Sequence, residues 1–439
     1  MRVLQLTPGT GSFHCGSCLR DNALIKALRT RGHDALLLPL YLPLVTDADE
    51  ANPEQGVRVG GVGLYLQHKF PFFHKLPKFI HRWVNSESTL RWASTKLGMT
   101  SARDLGEMTV GSLEGEKGRQ WPVWNELVDW ICEGANADVI CLSNALLIGL
   151  APALKRRTGK PIVCALQGED AFVDTLIEPY RSQAWALLQE NAKHVTKFIS
   201  PSKFYAEVMS KKLAVGPEAM TVVPNGINFE TFLPVRPTQE PPSPTIGYLA
   251  RMIHGKGLTT LVDAFILLAK KKSIPGARLR IAGTKTEADD KYIAELKKKI
   301  REAGFENRVS WEPNLSFENK VQFLHELSVL SVPATYGEAF GLYIAEAQGV
   351  GVPVVQPRHG AFPEILEITQ GGVICDPDDP QALAVALEEL LLDDARRHKM
   401  AATAKVNARA HFSATKMAEN FEKVLLEVTT TAAKAPQPA

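Results

Sequence analysis

Two glutamates, Glu338 and Glu346, stand eight positions apart in the stretch Tyr336-Gly-Glu-Ala-Phe-Gly-Leu-Tyr-Ile-Ala-Glu346, with a glycine turn between them. The turn opens an apolar, helix-like run. A helix starting near Gly341 directs the unpaired amides of Phe340, Gly341 and Leu342 toward its positive end, a natural seat for a diphosphate. Glu338 then lies in the loop on one side of that seat, and Glu346, about one turn into the helix, on the other. An anion flanked by two hydroxyl-binding carboxylates has the outline of a nucleotide-diphosphate sugar: sugar, pyrophosphate, ribose. The bland alternative for Glu346 is an exposed helix carboxylate. Its neighbours Ile344, Ala345 and Ala347 argue for a buried helix, where an unpaired charge is costly.

Further chemistry-bearing residues follow predicted strands. Gly247-Tyr-Leu-Ala-Arg251-Met-Ile-His-Gly-Lys256-Gly257 reads as a strand ending near Ala250, a loop, and a helix after Gly257. Arg251 and Lys256 sit in that loop, where two fixed cations suit a diphosphate leaving group; solvated surface cations are the other reading. Ala282-Gly283-Thr284 is a strand end where glycine either admits a nucleotide or only makes a turn. Arg358-His-Gly-Ala-Phe-Pro-Glu364 is a second glycine turn with a carboxylate.

Positioning such loops calls for alternating strands and helices. Strand candidates in the first half are 3–6, 35–39, 139–142, 162–166, 198–200 and 221–224; in the second half they are 245–249, 279–282, 309–311, 329–333, 354–356 and 373–375. Helical patterns separate them, implying parallel sheets with crossover helices and ligands at the carboxyl ends of the strands. Five prolines in Leu233–Pro244 mark a linker. The expected organisation is an N-terminal Rossmann-like domain over 1–232, a second over 233–411 and an amphipathic helix over 412–428. A small, polar tail at 429–439 is expected to be disordered.

The chain has 439 residues, room for two full cores. Lys+Arg 50 against Asp+Glu 48 excludes the strong basic field that general nucleic-acid binding needs. The longest apolar run, 35–45, contains two prolines and is too short to span a bilayer. The start Met-Arg-Val-Leu-Gln-Leu reads as a first strand rather than a secretory signal. Six cysteines, mostly in apolar segments, fit reduced thiols in a cytoplasm.

Taken together, these motifs resemble the retaining GT-B glycosyltransferases, specifically glycosyltransferase family 4 (glycosyl transferases group 1). The resemblance rests on Arg251…Lys256-Gly257, Gly337-Glu338…Phe340-Gly341-Leu342…Glu346, Gly351-Val-Pro-Val-Val and Pro224-Asn-Gly-Ile-Asn228. It implies an α/β GT-B fold, two doubly wound domains facing across a cleft, with the C-terminal helix crossing back to the N-terminal domain. It also implies that Arg251 and Lys256 bind the diphosphate, Glu338 the donor-sugar hydroxyls and Glu346 the ribose. The amides of Phe340, Gly341 and Leu342 would cap phosphate or sugar, and Gly283 would line the donor pocket.

The first half carries three departures. The loop Pro8-Gly-Thr-Gly-Ser-Phe-His-Cys15-Gly16-Ser-Cys18 takes the place of the family's glycine-rich loop, with Gly16 as the implied donor contact. Cys15 and Cys18 read either as small packing residues or as a thiol pair tuned by a helix start. His14 is an alternative sugar contact or simply a loop histidine. In Val163-Cys-Ala-Leu-Gln167-Gly-Glu-Asp170, glutamine replaces the histidine common in relatives; it cannot act as a base but can hydrogen-bond sugar hydroxyls. Glu169 and Asp170 remain as acceptor-side carboxylates. An insertion at about 55–125 has a core, Gln67–Lys96, with six Lys/Arg, one acidic residue and interleaved aromatics. That core reads as helices with a solvated basic face, or as a peripheral contact with an anionic membrane.

The expected function is transfer of a hexose from a UDP- or GDP-sugar to an acceptor hydroxyl of a glycan, lipid or small molecule, with no metal or cofactor. The alternatives are a GT-B epimerase or hydrolase, or a non-catalytic, redox-sensitive nucleotide-sugar-binding regulator. Localisation is expected to be cytoplasmic, with the inner membrane face as the site of any peripheral contact.

Overall fold

The computed structural model of the chain describes residues 1–9, 16–42, 51, 101–234, 236 and 243–434. Each of the twelve expected strands forms. They make two six-stranded parallel sheets, and each sheet belongs to one of two compact units, Met1–Pro224 with Met417–Ala439, and Asn225–Lys416.

The first unit holds β1 (Arg2–Thr7), β2 (Asp34–Pro39), β3 (Val139–Leu142), β4 (Ile162–Ala165), β5 (Lys197–Ser200) and β6 (Met220–Val222), in the order β2-β1-β3-β4-β5-β6. β3 and β4 are buried at every residue. Helices cover both faces of a parallel sheet, so its central strands read as unbroken apolar runs rather than as an alternation. The register is set by pairs such as Leu4 with Ile140 and Cys141 with Val163. Of the expected insertion, residues 101–125 contribute the helix Ala102–Leu113 and the start of the helix Trp121–Trp130. Its basic and aromatic core, 67–96, lies outside the described residues.

The second unit holds β7 (Thr245–Leu249), β8 (Arg278–Gly283), β9 (Val309–Pro313), β10 (Val329–Leu330), β11 (Val354–Pro357) and β12 (Gly372–Cys375), in the order β12-β11-β10-β7-β8-β9. The break between the units falls ahead of the expected 232/233 position, because Ile227, Phe229 and Phe232 are buried in the second core. Ile227 also bridges to the returning chain, donating its amide to Phe412 at 2.9 Å and accepting from Ala414 at 2.8 Å.

The helix Ala414–Lys434 then rejoins the first unit. Met417, Ala418, Phe421, Val424, Leu425 and Val428 share one core with Val3, Leu24, Leu28 and Val139. It extends past the expected end at 428. Thr429 and Thr431 remain helical and return their hydroxyls to Leu425 and Glu427, so 429–434 is a correction to the expected disordered tail. Among the described residues, no helix is long and apolar enough to cross a membrane.

Candidate functional site

In the second sheet, chain connections run outward in opposite directions from β7 and β10, which lie side by side. At such a switch point, the loops leaving the two carboxyl ends part and open a crevice. Gly257 and Gly283 allow these loops to approach closely. Both have positive φ (70° and 129°), and a Cβ would collide with the carbonyl oxygen of Pro333 in the first case and of Ala250 in the second. Gly283 is thus accounted for by main-chain packing within the unit. The β10 loop is tied to the β7 loop where Thr335 donates its amide to the Gly255 carbonyl at 3.0 Å. The β11 loop is tied in turn where Ala361 donates its amide to the Glu338 carbonyl at 3.0 Å.

These ties bring Lys256 and Glu338 together. The lysine ammonium and the glutamate carboxylate form an ion pair with side chains 17% and 14% exposed. The Tyr343 hydroxyl donates to the same carboxylate at 3.2 Å, and the rings of Tyr336 and Tyr343 lie 4.9 and 5.8 Å from the ammonium. Burial opposes the Lys256 charge, but the Glu338 carboxylate, with Tyr336, more than offsets it and holds the ammonium above the ordinary lysine range. Burial likewise pushes the Tyr343 hydroxyl far up, with Glu338 adding to it.

The helix after this loop spans Leu342–Val350 and is capped by Gly341 at φ 85°. Phe340 and Tyr343 turn inward against Phe412 and Phe362, so the first turn is anchored by aromatic packing. An α-helix leaves its first amides without partners inside the helix, and Phe340, Gly341 and Leu342, whose amides the sequence reading assigned to an anion, stand at this helix start. Glu346 faces Lys320, from the helix Phe317–His325, at 3.0 Å; the two side chains are 12% and 15% exposed. Lys320 rests between the rings of Phe317 and Phe232, 5.1 and 5.5 Å away. Sequence reasoning missed Lys320. The available signal was that a carboxylate in an apolar helix needs a cation, but nothing local says which element supplies it. Arg251 is exposed in the β7 loop, and its carbonyl accepts from the Tyr248 hydroxyl at 3.0 Å.

In the first unit, Gln167 follows β4 and is half-buried. With its oxygen on the side of Arg20, it accepts from that guanidinium's Nε at 2.8 Å and also from Nη2. Arg20 comes from the helix Gly16–Thr30 and is almost wholly buried, with Nη1 2.8 Å from the Asp21 carboxylate. Burial raises the Asp21 carboxyl, and Arg20 opposes that shift.

Glu169 is turned into the fold. It accepts from the amides of Ala145 (2.8 Å), Gln167 (2.8 Å) and Gly168 (3.0 Å) and from the Tyr205 hydroxyl (3.1 Å). Burial raises its carboxyl, and these amides partly counter the rise. It braces the turn after β4 rather than presenting a free carboxylate. Asp170 is half-buried and 2.9 Å from the same tyrosine oxygen. Gly16 opens its helix on the exposed side, while Cys18 is fully buried against Thr7. His14 and Cys15 lie outside the described residues, so the paired-thiol reading extends beyond them.

Comparison with known proteins places these loops in a family. The model for Glycosyl transferases group 1 matches residues 233–407, and that for Glycosyltransferase Family 4 matches residues 104–231. A D-inositol 3-phosphate glycosyltransferase of Corynebacterium diphtheriae is 30% identical over 220 residues, 47% of this chain and 50% of that protein. A glycogen synthase of Mycobacterium tuberculosis is 28% identical over 232 residues, 52% of each. The chain spans about half the length of the curated relatives it matches. Among solved structures, sucrose-phosphate synthase from Thermosynechococcus elongatus superposes with a TM-score of 0.72 at 16% identity, covering 98% of this chain and 100% of that one. Anabaena HepE, solved with UDP and glucose, gives 0.67 at 17% identity, covering 97% and 100%. At these identities the likeness establishes the fold, which is GT-B. The two family models take in both units, and the chain belongs to the group 1 glycosyltransferases of family 4.

Proposed function

We propose that this chain transfers a hexose from a nucleotide-diphosphate sugar to an acceptor hydroxyl of a glycan, lipid or small molecule, with retention of anomeric configuration. The observation that carries this is the Lys256–Glu338 pair at the β7/β10 switch point, beside the open start of the helix Leu342–Val350. A diphosphate arriving there meets a lysine already charged and largely desolvated. As the lysine turns to phosphate, the Glu338 carboxylate becomes available to sugar hydroxyls. Glu346, held by Lys320, is the ribose contact in this reading. Arg251 adds a second cation for the leaving diphosphate, so charge neutralisation needs no metal, and Gln167 supplies a hydrogen bond to a sugar hydroxyl. UDP is favoured as the carrier because HepE, a neighbour in fold, was solved with UDP and with UDP-glucose.

A thermal-shift panel of UDP-, GDP- and ADP-sugars tests the reading first, since a ligand that binds only the folded state raises its apparent stability. Turnover of the best donor, with and without EDTA, then gives the product's anomeric configuration by NMR. No stabilisation by any sugar nucleotide, or an inverted product, would sink the proposal. Consumption of donor with no glycoside formed would point to the epimerase or hydrolase class.

A further inference from the structure

Gln167, just past the end of β4, is held through both its side chain and its main chain. A free glutamine amide presents an oxygen or a nitrogen with nearly equal ease, because the two ends have the same shape. Here the choice is made by Arg20. Its guanidinium is fixed in the fold by burial and by the Asp21 carboxylate at 2.8 Å, and it spends Nε and Nη2 on the Gln167 oxygen. Turning the amide over would set the –NH2 group against two guanidinium N–H donors, with nothing to accept from either. The Gln167 main chain is fixed as well, since its amide and that of Gly168 both bond the Glu169 carboxylate. Side chain and backbone are therefore both anchored, and the end of the amide turned away from Arg20 is the Nε2 group.

We propose that Arg20 is a positioning residue that polarises Gln167, so that beyond the carboxyl end of β4 the Gln167 side chain offers a ligand only N–H donors and takes the oxygen of a sugar hydroxyl. This rests on the nucleotide-sugar reading above. It gives the site a definite chemical preference: Gln167 takes no proton from an acceptor and favours ligand oxygens over ligand donors. The position also carries no titratable group, in contrast to an imidazole.

The test uses the full chain as wild type, R20K, Q167E, Q167M and R20K/Q167M, with UDP-glucose as probe and UDP release as the rate. In Q167E the carboxylate takes the Arg20 fork and leaves no outward donor. kcat/KM is expected to fall about tenfold or more, the scale of one hydrogen bond to a ligand, with no loss of melting temperature. R20K should fall comparably, and R20K/Q167M should be no worse than Q167M alone, because Arg20 acts through Gln167. Wild-type kcat/KM in Q167E overturns the proposal, as do multiplicative losses in the double variant. Weaker binding of UDP-glucose relative to UDP in Q167E assigns the hydroxyl to the donor sugar; an unchanged ratio with reduced turnover assigns it to the acceptor.

The side-chain amide resonances of Gln167, identified by their loss in Q167E, give a readout independent of turnover. They should shift in R20K, and an unshifted pair refutes the clamp. If UDP-glucose and the other sugar nucleotides neither bind nor react, the nucleotide-sugar reading fails, and with it the assignment of a sugar hydroxyl, while the resonances still report on the clamp.

Discussion

Replacing Lys256 by Met examines the site most directly, because two consequences of the same contact can be separated. Removing one member of a buried ion pair strands the other, at a cost of about 3–5 kcal/mol. Here the side chains keep 17% and 14% exposure, and Glu338 retains the Tyr343 hydroxyl, so the expected loss is about 2–3 kcal/mol. For a unit of this size that is a fall of about 4–12 °C in melting temperature. Changing Glu338 to Gln in the same molecule removes the stranded charge, and K256M/E338Q should recover most of the stability. It should not recover turnover, which is expected to stay about 100- to 1,000-fold down for want of the cation that meets the leaving diphosphate. Calorimetric melting beside UDP release from UDP-glucose reads both. The reasoning is refuted if K256M melts with the wild type, or if the double variant turns over normally.

The same pair gives a pH signature. The Lys256 value is raised on folding, so its contribution is fully present below the ordinary lysine value of 10.5 and is lost as pH rises through the folded value. Alkaline destabilisation should therefore be shallower in K256M/E338Q than in wild type, as urea midpoints above pH 10 would reveal. At the other end of the scale, the hydrogen bond from His33, and then that from Arg31, hold the Glu422 carboxyl below its ordinary 4.5. Stability from that contact is present above 4.5 and lost as pH falls through the folded value, and E422Q should flatten the acid limb of a hydrogen-exchange profile for residues 417–428. Gly283→Ala should disable folding of the second unit, since its Cβ would land on the Ala250 carbonyl, whereas Gly304→Ala, at φ 82° in open space, should cost only about 1 kcal/mol. Circular dichroism of the pair is decisive, and comparable losses would contradict the packing argument.

What could be read from the sequence follows what is local. The strands were legible because a parallel sheet buries both faces and writes continuous apolar runs. Gly341 and Gly257 were legible because a left-handed residue before a helix favours glycine. Glu338 and Lys256 could each be placed at a strand end, but not as one ion pair, since that depends on Gly255 and Thr335 docking two loops far apart in the chain. Lys320 and Arg20 stayed hidden for the same reason: a polar residue inside a helix looks alike whether it meets solvent or a buried partner on another element. Glu169 shows the reverse. Its type and position suggested an open carboxylate, and only the convergence of Ala145, Gln167, Gly168 and Tyr205 reveals a brace.

The return of Met417–Val428 to the first unit bears on the order in which the molecule can be made. A ribosome delivers the six strands of the first sheet early, yet the residues that close that core follow the whole of Asn225–Lys416. The later unit is contiguous and can finish folding while the earlier one still exposes the face of Leu24, Leu28 and Val139. Assembly is thus inverted relative to synthesis, and a chain truncated before Met417 should carry a finished second unit beside an open, chaperone-prone first one.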